Sequence, residues 1–159
     1  MYVMKGAQKE CMILVEDNVI SSREADILIE LFKNDPMKGS HDETSIIYFP
    51  PQYSYILQNI KSHVEHDDRF QKVQRHQIVE YPIGVSKGFH FDNARGNTSA
   101  ASITFLNDDL VGGEAVVEGV KITPLLGRTY YLDGKEHKHA VMNVIKGSRY
   151  TISVWYERI

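Results

Sequence analysis

Cysteine is almost missing from the 159 residues. Cys11 stands alone, so the chain can form neither an internal disulfide nor a cysteine cage for zinc. Five prolines and eleven glycines are too few for low-complexity disorder or a collagen repeat. Positive charge is not in excess either. Eighteen Lys and Arg stand against twenty-one Asp and Glu, a formal net charge of −3, which excludes the strongly basic footprint of a nucleic-acid-binding domain. No stretch approaches the ~18 continuous apolar residues of a membrane span. The opening MYVMKGAQKECMILVEDN has neither the apolar run nor the small-residue cleavage site of a secretory leader. What remains is an ordinary globular composition, 42% hydrophobic and 25% charged. The expectation is a soluble, cytoplasmic protein with no membrane partner, folded as one domain over residues 1–159.

Helical signals come first along the chain. Ile13–Val15 reads as a short opening strand. From Ile20 to Leu31, apolar residues recur at helical spacing, and Glu24 follows Ser21 by three residues as in a capping box. Asn34-Asp35-Pro36 stops that helix. Lys38–Glu43 reads as a polar loop and Ser45–Phe49 as a strand. Pro50-Pro51 then opens a second amphipathic stretch with Tyr55, Ile56, Ile60 and Val64 on one face.

After Arg69 the pattern changes to β-rich runs: Gln71–Ile83, Thr98–Leu106, Gly113–Ile122, Arg128–Leu132, His139–Ile145 and Arg149–Tyr156. Short strands separated by Gly, Asp and Asn predict a barrel or sandwich. The fold class is therefore mainly β with N-terminal helices (α+β). Residues 1–70 serve as helical support and 71–159 as the β core, with no repeat and no linker.

Three features of the β region carry chemistry. In His90-Phe91-Asp92, residues i and i+2 of a strand aim an imidazole and a carboxylate at one point. His139 follows in His139-Ala140-Val141, and Arg149 comes ten residues later with Gly147 between them. Two His and one carboxylate make a three-ligand face with open positions, the donor set of non-heme Fe(II) oxygenases. Each motif alone is weak, because a strand histidine is more often a surface or satisfied core residue. Their order and their surroundings raise the signal. His137 competes with His139 for the distal ligand position.

From Gln77 onward the chain resembles the 2-oxoglutarate- and Fe(II)-dependent oxygenases, in their prolyl 4-hydroxylase-like branch. The resemblance rests on Val79-Glu80-Tyr81-Pro82-Ile83-Gly84, His90-Phe91-Asp92 and Ile103-Thr104-Phe105-Leu106-Asn107-Asp108. It continues through Gly112-Gly113-Glu114, Pro124-x-x-Gly127, His139-Ala140-Val141, Gly147-Ser148-Arg149-Tyr150 and Val154-Trp155-Tyr156. It implies a double-stranded β-helix (a jelly-roll, cupin-like barrel) with a metal inside one mouth. Position-matching makes His90, Asp92 and His139 the metal ligands, and these with Arg149 the catalytic set. The choice between His137 and His139 is one that the resemblance resolves toward His139, through the following Ala140-Val141 and the spacing to Arg149. Arg149 would pair with the distal carboxylate of 2-oxoglutarate, which suits its planar, always-charged fork.

Tyr81 matches a pocket tyrosine of the family, Ser153 shares a strand face with Arg149, and Ile103 and Phe105 would supply apolar wall. Some relatives carry a cosubstrate-binding tyrosine at the Phe105 position, and here phenylalanine cannot make that bond. Arg149 stands where collagen-type enzymes have Lys, a difference of subfamily and not of chemistry. The resemblance implies Fe(II), 2-oxoglutarate and O2, adds ascorbate to the expected requirements, and points to hydroxylation with release of succinate. A prolyl residue of a peptide or protein is the best single substrate, ahead of a small molecule; the oligomeric state is left open.

Two other classes compete with the enzyme: a non-catalytic sensor binding metal and 2-oxoglutarate, and a cupin-type metal protein with different chemistry. Further features read as structural. His63 and His66, about one helical turn apart, lack a third ligand nearby. Gly112-Gly113 lacks dinucleotide-loop spacing and reads as a hairpin signal. Glu114 has a structural role and Cys11 is an unassigned small thiol. Asn93–Asn97, Ile83–Gly88 and His41–Gln52 are candidate lids.

Overall fold

The computed structural model describes residues 2–4, 12–92 and 96–159. Cys11 and residues 93–95 of the Asn93–Asn97 loop lie outside the described residues. Helix α1 spans Ser22–Asn34 and begins with the reciprocal cap that the sequence predicts. The Glu24 N–H donates to the Ser21 hydroxyl (3.1 Å), and the Ser21 N–H donates to the Glu24 carboxylate (2.9 Å). Its apolar stripe buries Ala25, Leu28 and Phe32. The second amphipathic stretch is shorter than its pattern suggests. A single 3-10 turn at Pro51–Tyr53 precedes helix α2, Ser54–Ser62, which buries Ile56, Leu57 and Ile60.

Fourteen strands are described: β1 Tyr2–Met4, β2 Met12–Glu16, β3 Gly39–His41, β4 Thr44–Tyr48, β5 Lys72–Tyr81, β6 Lys87–His90 and β7 Thr98–Phe105. They continue with β8 Val111–Gly112, β9 Ala115–Val117, β10 Val120–Ile122, β11 Thr129–Leu132, β12 His139–Val141, β13 Val144–Lys146 and β14 Arg149–Glu157. The described strands form a large sheet in the order β1-β2-β11-β7-β14-β5-β4-β3, a smaller one in the order β10-β9-β12-β6, and the pair β13-β8. Every pairing is antiparallel. The architecture is that of a double-stranded β-helix, as the sequence predicts.

Two local expectations are corrected. Lys38–Glu43 is not simply a loop. Gly39–His41 pairs with β4 through a tight turn at Asp42-Glu43, both at positive φ (49° and 70°). The segment His41–Gln52 is thereby drawn into the large sheet through β4, which pairs with β5, and most of it is not free to act as a lid. The hairpin expected at Gly112-Gly113 lies instead at Glu118-Gly119, φ 48° and 81°, joining β9 to β10. Both turns use acidic residues where Asn-Gly or Asp-Gly would normally announce a hairpin, so composition concealed them.

The large sheet has two buried faces, and strand alternation sorts the side chains between them. Ile78, Ile152, Val154 and Tyr156 pack beneath α1 and α2 with Leu28, Phe32, Ile56, Ile60 and Phe70. Phe70 meets Tyr156 edge-on at 5.1 Å and Tyr131 at 5.8 Å, and the Tyr131 hydroxyl donates to the Ile60 carbonyl at 2.5 Å. On the other face Ile13, Val15, Ala101, Phe105, Tyr130 and Leu132 meet Ala115, Val117 and Ile122 of the smaller sheet. That second cluster fills the barrel and forms the floor of the site.

Arg69 ties the helical layer to the barrel. It donates from Nη2 to Asp67 Oδ2 (2.7 Å), from Nε to Asp67 Oδ1 (3.0 Å) and from Nη1 to Asp133 Oδ2 (3.5 Å). The Arg69 hydrogen bonds outweigh burial and hold the Asp67 carboxyl below its ordinary pKa. A carboxyl depressed by folding stabilises the protein above its unfolded pKa, and that contribution is lost as pH falls through the folded value. Thermal midpoints measured against pH are expected to drop from about pH 4 downward. Asp67→Asn should be less stable than the parent at neutral pH, with a shallower decline in acid.

Candidate metal centre

Strands β6 and β12 lie side by side in the smaller sheet with His90 directly opposite His139. The two rings are 4.2 Å apart between centroids, inclined at 53°. Asp92, two residues past His90, brings Oδ1 to 3.2 Å from His139 Nε2 and 3.6 Å from His90 Nε2. One donor atom from each of the three lies within 4.8 Å of the others, and no other His, Cys, Asp or Glu group of this kind occurs among the described residues. His63 and His66 accordingly form no such cluster.

The orientation of each ring is set from behind. His90 Nδ1 is 2.7 Å from the Gly88 carbonyl, and His139 Nδ1 is 2.8 Å from the His137 carbonyl. A carbonyl can only accept, so Nδ1 carries a proton in both rings and Nε2 is the atom turned to the centre, donating to Asp92 when protonated and offering its lone pair to a metal when not. Burial opposes ionisation of Asp92, but the hydrogen bonds from His139 and His90 overcome it and hold the carboxyl well below the usual range. Reciprocally, the Asp92 hydrogen bond raises the pKa of His90. The cluster is a preformed set of two nitrogens and one anionic oxygen, which suits a divalent first-row metal.

His137, the competing ligand, is 2% exposed and turned elsewhere; its Nδ1 accepts from the Asp133 N–H at 3.1 Å. The Glu114 carbonyl accepts from the Met142 N–H at 2.8 Å, a backbone bond that is independent of its side chain.

Arg149 opens β14 and is also 2% exposed. Its Nε donates to the Gly113 carbonyl at 2.8 Å, and its Nη2 lies 3.5 Å from the Tyr130 hydroxyl. The Tyr81 and Phe105 rings face the guanidinium at 5.2 and 5.1 Å. Cross-strand register puts Tyr81 opposite Arg149, Phe105 opposite Thr151, and Ile103 opposite Ser153. All the residues singled out in sequence as pocket wall therefore share the barrel-facing side with Arg149.

Three further residues belong to the same place. Gly113, at φ 70°, leaves room that a Cβ would take from Arg149, whose Cδ would stand 3.2 Å away. Tyr130 supplies a buried hydroxyl next to Arg149, on the strand beside Phe105, where the sequence showed only a phenylalanine. Thr151 is 1% exposed and its hydroxyl has no hydrogen-bond partner among the described residues. An unsatisfied buried hydroxyl is uncommon and needs an explanation. On the strand face between Arg149 and Ser153, it completes with the guanidinium a donor set suited to a carboxylate.

No curated protein sequence matches the chain. Among solved structures, a viral collagen prolyl hydroxylase from Paramecium Bursaria Chlorella virus-1, in a 2OG complex, superposes with a TM-score of 0.73 at 19% identity, covering 92% of this chain and 96% of that one. A prolyl-4-hydroxylase of Pseudomonas putida gives a TM-score of 0.75 at 16% identity, with 92% of each chain covered. A prolyl hydroxylase of Trichoplax adhaerens, solved with a hypoxia inducible factor oxygen degradation domain peptide fragment, gives 0.74 at 16% identity over 92% of this chain and 83% of that one. At such identities the likeness is one of fold. Residues 51–157, two thirds of the sequence, match the family model described as the 2OG-Fe(II) oxygenase superfamily. With the His-Asp-His cluster and the buried arginine lying inside that segment, the chain belongs to the 2OG-Fe(II) oxygenase superfamily.

Proposed function

We propose that the protein is an Fe(II)- and 2-oxoglutarate-dependent dioxygenase that hydroxylates its substrate, a prolyl residue of a peptide or protein being the preferred target. The observation that carries the reading is the convergence of His90, Asp92 and His139 on one point of the same barrel interior that holds buried Arg149. His90 Nε2, Asp92 Oδ1 and His139 Nε2 would hold the metal. Arg149 and the Thr151 hydroxyl, with Tyr130 and Ser153 nearby, would take the distal carboxylate of 2-oxoglutarate. Tyr81 and Phe105 flank the guanidinium, while Ile103 adds apolar wall and helps keep the pocket dry. When bound, Fe(II) with 2-oxoglutarate and O2 supplies the oxidising chemistry, with succinate and CO2 as by-products. The chain's own work is to orient the ligands, anchor the cosubstrate and exclude water.

A further pair bears on the substrate. Arg75 stacks on Trp155 at 3.9 Å, and the two are opposite one another on the barrel-facing side of the large sheet. Trp155 is level with Ala101 and hence with Leu132, two residues before Gly134, whose carbonyl accepts from the Asp92 N–H. The pair therefore borders the metal end of the pocket and not the Arg149 end. A flat indole and a guanidinium donor there suit a pyrrolidine ring and its peptide carbonyl.

The test is anaerobic addition of 2-oxoglutarate to the Fe(II) protein, followed by O2 and ascorbate with proline-containing peptides. A visible charge-transfer band on chelation, then succinate and hydroxylated peptide, is the expected result. Cosubstrate binding without succinate would replace the enzyme by a sensor. Metal binding without any affinity for 2-oxoglutarate would replace it by a cupin-type protein.

A further inference from the structure

The turn joining β11 to β12 reaches two of the three side chains of the metal centre. The Gly134 carbonyl accepts from the Asp92 N–H at 2.7 Å. The Gly134 Cα also stands so close to the Asp92 side chain that a Cβ built on it would lie 2.5 Å from Oδ2, 2.6 Å from Cβ and 2.9 Å from Cγ. Rotation of the carboxylate alone cannot relieve such contacts, because the Asp92 Cβ is itself among the atoms met. Three residues later the His137 carbonyl accepts from His139 Nδ1.

The turn is in turn held shut from inside. The His137 N–H donates to the Asp133 carbonyl at 2.8 Å, the Asp133 N–H donates to His137 Nδ1 at 3.1 Å, and His137 is 2% exposed. The Asp133 carboxylate accepts from the Lys135 and Glu136 N–H groups, both at 3.1 Å, and meets Arg69 on its other oxygen.

We propose that Gly134 and His137 are positioning residues of the metal centre: His137 locks the Asp133–His137 turn, and the locked turn seats the Asp92 carboxylate and the His139 ring together. The inference rests on the reading of His90, Asp92 and His139 as metal ligands. His137 acts through its ring acceptor and its backbone carbonyl and touches no metal. Gly134 is required for space, since at this position any side chain displaces Asp92. Outer partners of metal ligands typically govern affinity by 10–100-fold, and here one five-residue turn supplies them for an oxygen and a nitrogen ligand at once.

Co(II) alone, titrated into the metal-free protein and followed by its visible d–d absorption, is the probe. Gly134→Ala is expected to weaken Co(II) binding by roughly 10–100-fold and to alter the band shape, because the carboxylate must shift. His137→Leu, which removes the ring acceptor, should weaken binding in the same range. His137→Asn, whose side-chain oxygen can still accept from the Asp133 N–H, should recover most of the affinity. The thermal midpoint of each metal-free variant is read alongside, so that a general loss of structure is told apart from a displaced ligand. Parental Co(II) affinity and spectrum in both Gly134→Ala and His137→Leu would overturn the proposal. So would equal losses in His137→Leu and His137→Asn. Should the parent protein itself fail to bind Co(II), the metal-centre reading falls and this proposal with it, an outcome that the parent titration alone identifies.

Discussion

Asp92→Ala is expected to remove 2-oxoglutarate turnover altogether and to lower metal affinity by more than the ~10–100-fold that the loss of an outer partner costs. Asp92 is the only anionic donor in the cluster, and its oxygen bridges the two imidazoles at 3.2 and 3.6 Å. Without it two neutral nitrogens remain, with no charge to offset the desolvation of a divalent cation. Asp92→Asn keeps the shape and the Gly134 contact but not the charge, and should fall between alanine and the parent in affinity while remaining inactive. Equilibrium metal titration together with succinate release measures both. Parental affinity in Asp92→Ala would mean that the metal, if bound, sits elsewhere. The fold itself should survive, since the Asp92 N–H keeps its bond to the Gly134 carbonyl whatever the side chain.

Arg149→Ala should act on the other half of the site. The expected result is a rise in the KM for 2-oxoglutarate of roughly 100-fold, corresponding to about 3 kcal/mol for a lost charge-assisted hydrogen bond, with metal affinity unchanged. Arg149 lies in a sleeve made by Gly113, Tyr81, Phe105 and Tyr130, none of which carries a positive charge to replace the guanidinium. Arg149→Lys keeps a positive charge but not the planar fork or the Nε bond to Gly113. It should therefore recover only part of the affinity. Some loss of thermal stability is expected in both variants because the residue is buried. Metal affinity separates that effect from loss of the anchor. An unaltered KM would remove the assignment of Arg149 to the cosubstrate and favour the cupin-type alternative.

Much of this site was legible before folding because its logic is local. Period-two alternation pointed to His90 and Asp92 as neighbours, although β6 ends at His90 and Asp92 is seated beyond it by the Gly134 carbonyl, and the same rule aligns Arg149, Thr151 and Ser153 along β14. The Ser21–Glu24 cap was readable for a similar reason, as both partners lie within one turn of helix. Spacing to Arg149 favoured His139 but did not exclude His137, which on an unbroken strand would face the same way. Nor could it separate Tyr130 from Tyr131, adjacent residues of one strand that point to opposite faces. Tyr130 enters the Arg149 pocket, whereas Tyr131 binds the Ile60 carbonyl under α2. The hairpin at Asp42-Glu43 was missed because no glycine or asparagine marks it.

Sequence by itself determined the class of the protein: mainly β with two N-terminal helices, a His-x-Asp pair, a later histidine and an arginine in the order of one oxygenase superfamily. It did not show that residues 1–70, expected as helical support, supply β1 to β4 of the large sheet. Only the tertiary structure decided which histidine faces the centre, which tyrosine reaches the arginine, and that Gly134 must be small. The physical reason is that those outcomes depend on antiparallel register and on where one strand gives way to a turn. β12 begins at His139, so His137 is left inside the turn, and the identity of its partners is set by chain segments distant in sequence.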